Sequence, residues 1–229
     1  MPSTGRKFKD DIYEQLGRIG KALASPRRLE LLDLLCQGPR TVEALAHEAG
    51  QSLANASQHL QVLRGARLVE TEKHGLYVTY RLADDRACRL FRELRTLAES
   101  RLLEIHEITR EFLEQRGELE PVDRDELVAR VRSGEVTLLD VRPTEEYEAG
   151  HLPGAVSVPL DELESRIADL PDDREVVAYC RGPYCVLAVQ AVEALRAKGF
   201  DATRMEEGVP DWRARGLPVV TDTIEENHS

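Results

Sequence analysis

The feature that most constrains this chain is a change of hydrophobic rhythm around residues 115–122. Before it, apolar residues recur every three to four positions: Ile12, Leu16, Ile19 and Leu23, then Leu29, Leu32 and Leu35, and later Leu90, Leu94, Leu97, Ile105, Ile108 and Phe112. That spacing lines one face of successive helices. After it, short apolar runs at 136–141 and 176–179 are followed by helix-like stretches such as 186–198. This is the texture of a parallel or mixed sheet with helices on its faces. A chain of 229 residues accommodates two domains. The reading is a mainly α domain at 1–114, a polar linker at 115–122 containing Gly117 and Pro121, and an α/β domain at 123–222.

Punctuation within the first part sharpens it. Ser25-Pro26 ends one helix and starts the next, and Gly38-Pro39 closes that one. Thr41 caps a third helix, Gly50 breaks it, and Ser52 caps a fourth running to about Gly65. Residues 68–71 and 76–82 alternate like strands around a hairpin tip at Lys73-His74-Gly75, and one long helix is expected from Asp84 to Leu113. Helix, turn, helix and hairpin together make a winged helix-turn-helix. The exposed side of the fourth helix carries Ser52, Asn55, Ser57, Gln58, His59, Gln61 and Arg64. Short polar groups of this kind reach base edges and phosphates in a major groove. Lys73 and His74 at the wing tip would meet the adjacent backbone. An ordinary solvated helix face is the alternative that pattern alone leaves open.

Charge separates the two parts. Residues 1–117 carry 19 Lys and Arg against 17 Asp and Glu, whereas residues 118–229 carry 12 against 25. An acidic second half repels phosphates, so a nucleic-acid surface belongs to the first. No run approaches the ~18 apolar residues of a membrane span. The polar N-terminus lacks a secretory core, so a cytoplasmic protein with no membrane partner is expected. Cysteines at 36, 88, 180 and 185 are too few for a disulfide scaffold.

Residues 10–113, and above all ALASPRRLELLDLLCQGPRTVEALAHEAGQSLANASQHLQVLRGARLVETEKHGLYVTYRL, resemble the ArsR/SmtB family of winged-helix repressors. The resemblance implies a homodimer on double-stranded DNA with an inverted-repeat operator, paired through the first and last helices. Open apolar stripes on those helices agree with that. Metal-sensing members carry a thiolate pair on the third helix or a His- and Asp-rich last helix. Here TVEALAHEAG has no Cys and only His106 lies on the last helix, so no metal and no cofactor is expected. Cys36 sits where members that sense reactive sulfur carry one, but their second Cys lies beyond Cys88. Cys36 is therefore read as a small buried hydrophobe.

Residues 137–163, TLLDVRPTEEYEAGHLPGAVSVPLDEL, and 176–219, from VVAYCRGPYC to RARGLPV, resemble the two parts of a rhodanese domain in order. A strand at 176–179 would deliver Cys180 to the carboxyl edge of the sheet, where open α/β sheets place their sites. Loop amides and the following helix would lower its pKa. The resemblance makes Cys180 the sulfur carrier, held as a persulfide, and Arg181 is placed to attract an anionic sulfane-sulfur donor such as thiosulfate. The loop CRGPYC departs from the usual pattern, since Pro183 removes an amide donor and Cys185 adds a second thiol. Val186 stands where phosphatase-like relatives have Arg. Cys185 reads either as packing or as a thiol that resolves a persulfide on Cys180. Asp140, Arg142 and His151 read as structural.

Three functions compete at this point. One is a transcriptional repressor coupled to persulfide or redox chemistry. Another is a sulfurtransferase whose helical domain mainly dimerises. The last is a metalloid sensor using Cys180 and Cys185. The polar fourth-helix face favours the first, because a dimerisation module needs no such face.

Overall fold

The computed structural model describes residues 4–74, 77–116 and 124–221. The chain forms two compact units, residues 1–94 and 95–229. Most of the expected linker at 115–122 lies outside the described residues.

The first unit opens with α1 (Thr4–Leu23) and α2 (Pro26–Gln37). A two-residue strand, β1 (Arg40–Thr41), precedes α3 (Val42–Glu48) and α4 (Leu53–Gly65). The wing is β2 (Val69–His74) and β3 (Tyr77–Leu82), and α5 (Asp85–Arg101) follows. The start signals act as their chemistry requires. Pro26 occupies the first turn of α2, Thr41 Oγ1 accepts from the Ala44 amide at 3.2 Å, and Ser52 Oγ accepts from the Asn55 amide at 3.3 Å. Strand order is β1-β3-β2, all antiparallel. Two residues carry too little pattern to announce β1, so the sequence reading had only the hairpin.

Leu31, Leu32, Leu45, Leu60, Leu63 and Val69 form the core of this unit. Each contributes roughly 1.5–3 kcal/mol on leaving water. Cys36 and Cys88 do not behave as isolated packing residues. They form a disulfide between α2 and the first turn of α5, with Cα atoms 5.5 Å apart, inside the range such a bond needs. This corrects the reading of Cys36 as a lone buried hydrophobe. The chain path between α2 and α5, invisible to local pattern, decides the pairing.

The long helix expected from Asp84 to Leu113 is two helices. Leu102 adopts φ −111°, ψ 97°, and α6 (Leu103–Glu114) starts beyond it. Carbonyls near the break find side-chain donors: Ser100 Oγ donates to the Leu97 carbonyl at 2.8 Å, and His106 Nε2 lies 2.9 Å from that of Glu99. No Gly or Pro marks this break, so periodicity ran through it.

The α/β part runs α7 (Arg124–Ser133), β4 (Thr137–Asp140), α8 (Thr144–Ala149), β5 (Val156–Ser157), α9 (Leu163–Arg166), β6 (Val176–Tyr179), α10 (Leu187–Ala197), β7 (Ala202–Arg204) and α11 (Val209–Ala214). Its four strands are parallel in the order β5-β4-β6-β7. Strand alternation splits the core into two layers. Val176, Ala178 and Leu139 join Ala188, Ala191 and Leu195 of α10 on one face. Val177, Tyr179 and Leu138 join Trp212 of α11 and Val128 of α7 on the other.

Candidate functional sites: the recognition helix and the cysteine loop

The fourth helix presents the expected polar face. Ser52, Asn55, Gln58, Gln61 and Arg64 are exposed, while Ser57 and His59 are half-buried. Ala56, Leu60 and Leu63 turn the opposite face into the core, which fixes the rotation of the helix. Two of the polar groups are partly engaged. Asn55 Nδ2 donates to Gln51 at 3.3 Å, and Gln61 Nε2 donates to the Tyr80 hydroxyl of the wing at the same distance. Lys73 is exposed near the end of β2. His74 ends that strand, and its side chain and Gly75 lie outside the described residues.

The same unit leaves Phe8, Ile12, Tyr13 and Leu16 of α1 exposed. Leu97 on α5, and Leu103 and Ile108 on α6, are exposed as well.

At the carboxyl end of the parallel sheet, Cys180 leaves β6 and the chain loops through Cys185 into α10. Gly182 has φ 149° and its carbonyl accepts from the Cys185 amide at 3.2 Å, so the loop curls back on itself. Strand parity decides where Cys180 points. It shares the side of Val176 and Ala178, under α10, and is only 2 % exposed. Burial among these apolar groups pushes its thiol well above the usual cysteine range. Cys185 is more open. The neighbouring Cys180, the backbone amides of Arg181 and Leu187 and the Arg181 charge bring the Cys185 thiol down to about 7. Burial thus works against the lowered pKa expected at Cys180. Backbone amides reach both sulfurs, those of Ala188 and Gly182 at Cys180 and those of Arg181 and Leu187 at Cys185, so the loop and the α10 start can stabilise charge on either. Cys180 Sγ also lies 3.5 Å from the Cys185 carbonyl oxygen.

Arg181 is also placed differently from expectation. Its side chain is buried, and Nε and Nη2 donate to Glu146 Oε1 at 2.8 and 2.5 Å. That guanidinium braces the loop against α8, and the chain's own carboxylate takes the place foreseen for a donor anion. Behind it, Asp140 Oδ1 accepts from Arg142 Nε at 2.9 Å. Its Oδ2 accepts from Arg142 Nη2 at 2.6 Å and from the Tyr179 hydroxyl at 2.5 Å. Asp140 and Arg142 are fully buried, and Arg142 Nη2 also donates to the Gly150 carbonyl at 2.8 Å. His151 stacks on Tyr147 with ring centroids 3.7 Å apart. These three residues fix loops, as their positions at a strand end and a turn suggested.

Gly208 is the residue whose weight local sequence pattern does not reveal. A Cβ there would collide with the Arg181 carbonyl and lie 2.9 Å from that of Cys180. The bare Cα lets the start of α11 press on the backbone that aims the thiols. Asp211 completes this start, accepting from the Gly208 amide at 3.3 Å. Among the described residues no three His, Cys, Asp or Glu side chains are grouped to hold a metal ion, and no helix is long and apolar enough to cross a membrane.

Fold and sites together define a class: a winged helix-turn-helix protein extended by an α/β domain with a two-cysteine loop at the carboxyl end of its sheet. Comparison with known proteins narrows it. Residues 25–71 match the bacterial regulatory proteins of the arsR family, and residues 123–215 match the rhodanese-like domain. The HTH-type transcriptional regulator Rv0324 of Mycobacterium tuberculosis is 44% identical over 211 residues, 92% of each chain. A sulfurtransferase of Allochromatium vinosum is 32% identical over 101 residues, 43% of this chain and 92% of its own. Among solved structures, the homodimeric winged helix-turn-helix DNA-binding domain Mb0332 of Mycobacterium bovis, fragment 1–100, shares 40% identity at a TM-score of 0.40. The match covers 44% of this chain and 91% of that one. The chain belongs to the arsR family of HTH-type transcriptional regulators, in a form that carries a rhodanese-like domain.

Proposed function

We propose that this regulator is a homodimeric repressor of an inverted-repeat operator, and that its rhodanese-like domain handles sulfane sulfur at Cys180 and Cys185. The observation that carries the reading is the pairing, in one chain, of a polar recognition face on α4 with a buried-plus-open thiol pair on the loop after β6. The exposed apolar residues of α1, α5 and α6 supply the surface for two-fold pairing. Two recognition helices then meet half-sites about one helical turn apart, ~34–36 Å.

A footprint on the protein's own upstream DNA, with and without thiosulfate or polysulfide, is the direct test. Binding that is lost or gained on sulfur treatment supports the coupling, and an unchanged footprint removes it. Replacing Arg64 and Lys73 with Ala deletes four phosphate contacts per dimer. The slope of log K against log salt should then flatten by about 3–4. An unchanged slope takes both residues out of the interface. Replacing Cys180 and Cys185 together with Ser should abolish sulfur uptake while DNA binding in reducing buffer survives. The similarity to a sulfurtransferase favours a second reading, an enzyme that uses its helical domain for dimerisation. Rapid thiosulfate–cyanide turnover without specific footprinting would select it.

A further inference from the structure

The thiol read as the sulfur carrier, Cys180, is enclosed. It is 2 % exposed, packs with Ala188 and Ala191 of α10, and is roofed by its own loop. The Cys185 carbonyl oxygen lies 3.5 Å from its sulfur, and the Gly182 amide reaches that sulfur as well. A donor in line with Cys180 therefore needs the stretch 181–185 to lift. What holds that stretch down decides access.

Two anchors hold it. One is the Arg181 pair with Glu146 of α8. The other is the second half of α5, which belongs with the α/β part to the unit 95–229. Glu99 Oε1 accepts from the Tyr184 hydroxyl at 2.7 Å, and Arg95 Nη2 donates to Asp211 Oδ1 at 2.5 Å. Arg95 Nε lies 3.7 Å from Glu99 Oε1, so these two side chains, one helical turn apart, brace each other. Asp211 passes the hold on, because its Oδ2 accepts from the Gly208 amide and Gly208 lies against the Arg181 and Cys180 carbonyls. Arg95 also borders the loop directly, since a Cβ on Gly182 would come 3.4 Å from its Nη1. The Arg95 and Asp211 side chains are 15 % and 8 % exposed, so salt screens their pairing little. Arg95 and Glu99 fall outside residues 123–215, the stretch that matches the rhodanese-like domain. The clasp is an addition to that domain.

We propose that Arg95 and Glu99 are positioning residues of the sulfur site: through Asp211 and Tyr184 they clasp the loop over Cys180, and a donor reaches that thiol only when the clasp releases. The inference rests on the reading that this loop handles sulfane sulfur, and it names what regulates access to it. The coupling is reciprocal. Occupancy that favours the lifted loop frees Tyr184 and Asp211 from α5, so the same contacts report the state of the loop to that helix.

The test labels the full-length protein with limiting iodoacetamide and locates the adducts by mass spectrometry. In wild type the more open Cys185 should take label before Cys180, and it serves as the internal reference. Tyr184→Phe deletes one hydroxyl from a half-exposed ring. It should raise labelling of Cys180 relative to Cys185 by about fivefold, the population shift that one lost hydrogen bond gives. Glu99→Ala should do the same, and the double variant should go no further, because both cut the same bond. Glu99→Gln, whose amide oxygen still accepts, should stay within about twofold of wild type. Arg95→Ala should loosen the loop from the Asp211 side, and Arg95→Lys should restore most of the protection. The urea midpoint of Tyr184→Phe should equal that of wild type. Unchanged labelling in Tyr184→Phe and Glu99→Ala overturns the clasp. So does a rise that Glu99→Gln fails to rescue, or one matched by a fall in midpoint, since the residues would then only support the fold.

The chemistry is read separately with inorganic polysulfide. Cys180 gives its proton to solvent and takes the terminal sulfur, one polysulfide S–S bond breaks, and the shortened polysulfide leaves with the bonding pair. Uptake in Tyr184→Phe should quicken by the factor seen for labelling. An unchanged rate would overturn release of the clasp as the step that admits the donor. No uptake in any form, with the labelling pattern intact, would remove the sulfur reading and leave the clasp standing.

Discussion

Gly208→Ala isolates the contact that aims the cysteine loop. Two effects oppose each other. Gly208 has φ −97°, a conformation alanine adopts freely, so the substitution removes unfolded-state freedom and by itself stabilises by about 0.4–1 kcal/mol. Against it stands the new methyl, which would overlap the Arg181 carbonyl and sit 2.9 Å from that of Cys180. Those are backbone atoms at the end of a central strand, tied in by β4 and β7 on either side. They cannot swing away as a flexible side-chain tip can. Overpacking of this kind costs about 1–3 kcal/mol, so the steric effect wins. The variant should be less stable by about 1–2 kcal/mol. Urea unfolding of the α/β part should show it as a midpoint lower by about 0.5–1 M, taking a slope of about 2 kcal/mol/M. Because the displaced atoms belong to Cys180 and Arg181, the preference of iodoacetamide for Cys185 over Cys180 should also narrow. A midpoint equal to or above wild type, with the labelling order intact, would mean that room exists beside Gly208. The close approach of α11 to the loop would then be refuted.

Other perturbations follow from the same structure. Reducing the Cys36–Cys88 bond opens a 52-residue loop and should destabilise the first unit by about 4 kcal/mol on the chain-entropy account. Cys88→Ser should match the reduced protein and ignore reductant, whereas a wild-type midpoint indifferent to reductant would deny the bond a structural role. Asp140→Asn strips the counter-charge from the fully buried Arg142 and should cost about 3–5 kcal/mol; a loss below about 1 kcal/mol would contradict the ion network. The rate of Cys185 alkylation should rise through pH about 7 and level off before pH 9, because its thiol is lowered to about 7. The lowered value means that the unfolded chain binds the extra proton between about 7 and 9. Stability should therefore increase with pH across that window and be lost as pH falls through 7. An inflection near the ordinary cysteine value would show that the donors around Cys185 do not act.

Much of this protein is written locally. Thr41 and Ser52 start their helices because a hydroxyl caps an amide three residues on, whatever lies elsewhere. The polar face of α4 follows from helical spacing alone, since burying Ala56, Leu60 and Leu63 leaves Ser52, Asn55, Gln58 and Arg64 outside. The short apolar runs of β4 and β6 announce a doubly covered parallel sheet, and with it the position of Cys180 at a strand end. The remaining features are long-range. Cys36 and Cys88 lie 52 residues apart in sequence, and only the packing of α2 against α5 makes them partners. The break at Leu102 has no Gly or Pro to announce it. Arg181 reads as an anion attractor until Glu146, 35 residues earlier, is found against it. The decisive case is the thiol pair. Sequence places both cysteines on one loop, but their chemistry depends on which side of β6 each sulfur falls and on what covers it. Strand parity sends Cys180 under α10, where desolvation works against its ionisation, and leaves Cys185 more open. Desolvation and amide direction are properties of three-dimensional surroundings, so only the tertiary structure could tell the two sulfurs apart.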